Sequence, residues 1–63
     1  PPNVQMLLAC ADLYKEARNY QDAEKMLRKA SMLEPKKVHI QRQLGAVLAL
    51  NLVHQSQEVS SRL

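Results

Sequence analysis

The stretch LLACADLYKEARNYQDAEKMLRKASMLEP, Leu7 to Pro35, carries two apolar stripes at helical spacing, a polar break between them and a proline at its end. Val4, Leu7, Leu8, Ala11 and Tyr14 fall on one face of a first helix, because helical neighbours recur every three or four residues. Ala23, Met26, Leu27, Ala30 and Leu33 do the same for a second. Asn3 is placed to cap the first helix, with Pro1 and Pro2 outside it. Arg18 and Asn19 mark the break. Asn19 is expected to take the left-handed conformation or to cap the second helix, and Asp22 three residues on completes an approximate capping box. In the second helix acids come first and bases later, as the helix dipole favours, and Glu24 precedes Arg28 by four residues. Pro35 ends it, since proline donates no amide and disfavours helix at the residue before it.

A hairpin of this kind cannot bury both of its faces alone. A third helix is expected from Val38, bearing Ile40, Leu44, Val47 and Leu48, with Gly45 the only glycine in the chain. A break is expected between Asn51 and Ser56, because only Leu52, Val53, Val59 and Leu63 are apolar from there on. The fold class is all-α. With 63 residues, the chain lies near the lower limit at which one apolar core offsets the entropy of ordering, so reinforcement is needed. Cys10 is the single cysteine, which excludes an internal disulfide. His39, His54 and Cys10 match no metal-ligand spacing, so no metal site is expected. Association is what remains.

The net charge of +3 is spread with both signs along the chain and points to solubility rather than to a polyanion binder. Nucleic acid is disfavoured as a partner. Tryptophan and phenylalanine are absent, which leaves Tyr14 and Tyr20 as the only side chains able to stack on a base. No segment approaches the ~20 apolar residues of a membrane span, and the N-terminus lacks the pattern of a signal peptide. A lone cysteine fits a reducing compartment, so an intracellular, cytoplasmic location is expected. No catalytic residue and no cofactor are expected, because paired carboxylates, phosphate-binding glycine loops and nucleophile motifs are missing.

Shifting the chain by about 34 residues, the tetratricopeptide period, sets Leu7, Cys10, Ala11 and Tyr14 on Gln41, Leu44, Gly45 and Leu48. Within the first unit Leu7, the pair Cys10–Ala11, Tyr14, Ala23, Leu27, Ala30 and Pro35 resemble the tetratricopeptide repeat pattern in register. Small residues at Ala11, Ala23 and Ala30 let two antiparallel helices approach. On this resemblance residues 4–37 form one full repeat, 38–50 the first helix of the next, and 51–63 a short helix, cap or frayed tail. Cys10 replaces the usual leucine and Arg18 stands where a glycine often turns the chain. Gln57 and Ser61 fall where the family has alanine and an aromatic.

The resemblance implies a non-catalytic protein–protein interaction module, a fragment of a larger helical array that binds a peptide or helix of a partner. The inward positions it implies are Gln5, Leu8, Asp12 and Lys15 in the first unit, with His39, Arg42, Ala46 and Ala49 in the second. Binding of acidic chaperone tails by a carboxylate clamp is disfavoured, since Leu8 and Asp12 occupy the lysine and asparagine places of the opening helix and Asp12 repels a carboxylate. Gln43 sits where the next helix supplies asparagine. Lys25, Arg28, Lys29, Lys36 and Lys37 read as a solvated outer face. Met6, Met26 and Met32 read as packing residues, and Cys10 as a small buried hydrophobe. The alternative function is a self-assembly element that dimerises or caps a larger subunit, through Ile40, Leu44, Val47 and Leu48.

Overall fold

The computed structural model describes the backbone of residues 3–62 and the side chains of residues 3–56; Pro1 and Pro2, and the side chains of Gln57, Val59, Ser61 and Leu63, lie outside the described residues. The described chain is all-helical. Helix α1 spans Val4–Glu16, α2 Tyr20–Leu33 and α3 Val38–Arg62, with α1 packed on α2 and α2 on α3.

Each helix end has a local cause. The Asn3 side chain accepts from the Gln5 backbone N–H at 2.8 Å, satisfying one of the amides left open at the start of α1. At the other end Arg18 N–H donates to the Lys15 carbonyl at 3.0 Å and Asn19 N–H to the Tyr14 carbonyl at 2.8 Å. That bond pair is a Schellman motif, which demands a left-handed residue just past the cap. Arg18 supplies it, at φ 61°. The expectation that Asn19 would be left-handed is therefore corrected: Asn19 has φ −94°. Asn19 makes no backbone cap either; its Nδ2 donates to Asp22 Oδ2 at 2.6 Å. At the end of α2, Glu34 leaves helical geometry ahead of Pro35, as the ring requires.

The core shows the direction of the chain. Leu7, near the start of α1, clusters with Ala30 near the end of α2, whereas Ala11, further along α1, clusters with Ala23 and Leu27. The hairpin is therefore antiparallel. Ile40 joins the first cluster and Val47 the second, so α3 in turn runs antiparallel to α2. Ala11, Ala23 and Ala30 are fully buried, which places the small residues where the helices approach. Leu27, Ile40 and Val47 are the largest fully buried side chains, each contributing about 1.5–3 kcal/mol by leaving water. Leu33 departs from its expected place on the core face and is 49% exposed. It sits in the last turn of α2, on the side of the opening turn of α1, with too little chain over it.

The expected break between Asn51 and Ser56 does not occur. Helix α3 continues without interruption through Arg62 for 25 residues. No glycine or proline lies beyond Gly45 to stop it, and nothing there repeats the Schellman turn that ends α1. His54 meets Tyr20 edge to face, ring centroids 5.7 Å apart and inclined at 72°, which holds the middle of α3 against the start of α2.

Candidate interaction groove

Where α3 begins beside the open end of the hairpin, a groove of about 650 Å³ is lined by Asn3, Val4, Gln5, Leu8, Leu33, Glu34, Lys37 and His39. The turn around Pro35 brings these residues together, because it returns the chain so that His39 on α3 lies near Gln5 and Leu8 on α1. Val4, Leu8 and Leu33 supply apolar wall; Asn3, Gln5 and His39 supply groups able to exchange hydrogen bonds with a peptide. Glu34 Oε2, shielded from solvent, is held by the Lys37 ammonium at 2.6 Å. The lining is more polar than apolar, with Val4, Leu8 and Leu33 as its apolar part, so the groove offers hydrogen-bonding and charged groups around a small apolar contact.

Three of the eight inward positions read from the sequence, Gln5, Leu8 and His39, line this groove. Asp12, Lys15, Arg42, Ala46 and Ala49 do not. Asp12 and Lys15 instead pair with one another across one helical turn at 3.4 Å. Arg42, Ala46 and Ala49 are exposed along α3. Sequence reasoning left Asn3, Val4, Leu33, Glu34 and Lys37 out of the site. The signal for the last two was available: an acid and a base three residues apart on either side of a proline are placed to pair across the turn. Leu33 read as core, so its service as wall was hidden.

The unbroken α3 makes a second recess, of about 320 Å³, between Arg18, Asn19, Tyr20 and Gln21 of the hairpin turn and Asn51, His54 and Gln55. It is mostly polar.

Other expected residues are redistributed. Ile40 and Val47, expected on a self-association face, have no exposed surface, while Leu44 and Leu48 are half-buried. Ile40, Leu44 and Val47 pack against the hairpin within one chain. Cys10 is exposed rather than buried, because it lies one position before the close-contact residue Ala11 and points away from α2. Met26 packs against both core clusters, but Met6 and Met32 are 66% and 81% exposed, contrary to a packing role. Lys25, Arg28, Lys29, Lys36 and Lys37 are all exposed. Arg28 pairs with Glu24 at 3.1 Å and Lys25 with Asp22 at 4.0 Å, as expected of a solvated face.

Gln43, half-buried on α3, has an Oε1 atom shielded from water with no hydrogen-bond partner. Among the described residues no group of three His, Cys, Asp or Glu side chains could hold a metal ion, and no helix is long and apolar enough to cross a membrane. Comparison with protein-family models, with curated proteins and with solved structures found no match.

Proposed function

We propose that this chain is a non-catalytic interaction module of tetratricopeptide type, part of a helical array, whose groove takes a peptide or helix of a partner protein. One observation carries this reading: Gln5 and Leu8 of α1 and His39 of α3, far apart in sequence, line one groove with Val4 and Leu33. The repeat resemblance supplies the class, and the groove supplies a surface with both apolar and hydrogen-bonding character. A cytoplasmic setting accords with the exposed thiol of Cys10. The test is affinity capture with the intact protein. Gln5→Lys combined with His39→Glu should release the captured protein while circular dichroism is unchanged, and Lys25→Glu with Arg28→Glu on the outer face should not. Loss from the outer-face pair alone moves the site off the groove.

A second reading, a self-assembly or capping element, is favoured by Leu50, Leu52 and Val53, which are exposed on the long α3. Charge placed at Leu52 and Val53 would then lower the sedimentation mass of the intact chain.

A further inference from the structure

We propose that the hairpin-turn end of the molecule is a second docking surface, for a protein segment that carries a carboxylate side chain beside an aliphatic one. Two adjoining recesses around the Tyr20–His54 ring pair support it, one polar and one bounded by Leu50 and Val53.

Helix α3 continues without a break, so its residues 50–55 lie beside the turn between α1 and α2. The recess of about 320 Å³ brings Arg18 and Gln21 together with Asn51 and Gln55. A second recess, of about 240 Å³, is lined by Arg18, Tyr20, Leu50, Val53 and His54. Arg18, Tyr20 and His54 belong to both, so the two adjoin. Helical spacing sorts the α3 side: Asn51, His54 and Gln55 stand at i, i+3 and i+4, while Leu50 and Val53 fall three apart on the neighbouring stripe, with His54 at the border. Leu50 and Val53 are 43% and 55% exposed, so much of their apolar surface is open to an occupant.

Charge decides the occupant. Arg18 is exposed, and its guanidinium has no acidic partner among the described residues. Asp22, in the first turn of α2, is already held by Asn19 Nδ2 at 2.6 Å and by Lys25 at 4.0 Å, and among the described residues no carboxylate lines either recess. A guanidinium presents a fork of donors matched to a carboxylate, and the side-chain amides of Gln21, Asn51 and Gln55 are able to donate to the same group. A free inorganic anion would leave the Leu50–Val53 side empty, whereas an aliphatic residue next to the acid would cover it. The turn fixes the root of Arg18, whose N–H donates to the Lys15 carbonyl at 3.0 Å in the left-handed conformation. This surface lies at the other end of the hairpin from the groove, and the inference does not depend on what the groove takes.

The test is a nuclear magnetic resonance titration of the full chain with two capped tetrapeptides, in which glycines flank a glutamate–leucine or a leucine–glutamate pair. At least one of them should shift the backbone amides of Arg18, Gln21, Asn51 and His54. Replacing its glutamate with glutamine, or its leucine with serine, should weaken binding roughly tenfold, the loss expected of one charge-assisted contact or one covered leucine. Arg18→Gly should weaken it as the glutamine analogue does while helical circular dichroism is retained, because glycine accepts the left-handed turn. Gln5→Lys with His39→Glu in the groove should leave the affinity unchanged, so either surface can fail while the other stands. A glutamine analogue that binds as tightly as the parent peptide overturns the proposal, as do shifts confined to the groove or none at all. Two further results overturn it: turn amides that shift with protein concentration alone, which would place a second copy there, and binding that emerges only in Glu58→Gln, which would show the chain's own acid in the recess.

Discussion

Ala23 is fully buried in the cluster where α2 meets both α1 and Val47 of α3. Ala23→Leu would force extra methylenes into that contact, and a loss of roughly 1–3 kcal/mol in urea unfolding is expected. Gln43 makes the opposite case. Its shielded, unpartnered Oε1 is a desolvated acceptor without compensation, so Gln43→Met should raise stability by about 1 kcal/mol. An unchanged unfolding midpoint would mean that water reaches the amide. At this scale the sequence is a good guide to what is buried at helical spacing and a poor one to what is covered. Leu7, Ala11, Ala23, Leu27 and Ala30 follow their pattern into the core, whereas Cys10, Met6, Met32 and Leu33 are exposed. Apolar character states a preference, but a side chain is buried only where another element lies over it.

The turn between α1 and α2 shows the same distinction among elements. Its Schellman bonds fix where a left-handed residue must stand, and the position falls on Arg18 although Asn19 is the residue better suited to it. Position overrides preference. Arg18→Gly should relieve the side-chain clash of the left-handed conformation and stabilise the chain by about 1 kcal/mol; a destabilised variant would show that Arg18 contributes a contact outweighing its strain. The continuity of α3 was hidden for a related reason. From Asn51 on, apolar residues are sparse, which weakens the helical pattern, but sparse apolar residues do not end a helix when glycine, proline and a capping turn are all absent. The groove was legible only in part. Gln5, Leu8 and His39 were expected from the resemblance to a repeat, while Glu34 and Lys37 join them through the Pro35 turn, whose geometry that resemblance does not contain.

The molecule as a whole stands on α3 packing back over the hairpin, which gives a chain of this size a second layer and puts His39 beside Gln5 and Leu8. Val47, fully buried among Ala11, Ala23 and Leu27, is the side chain that reports on this docking. The direct measurement is urea unfolding of Val47→Ala against the parent, both in a Tyr14→Phe background, followed by helical circular dichroism and by the fluorescence of Tyr20, which contacts His54 of α3. If α3 docks in this register, the parent unfolds in one transition coincident by both probes, and Val47→Ala loses about 2 kcal/mol from it. Two separate transitions, or a Val47→Ala midpoint equal to the parent's, would show that the third helix is not part of the same core.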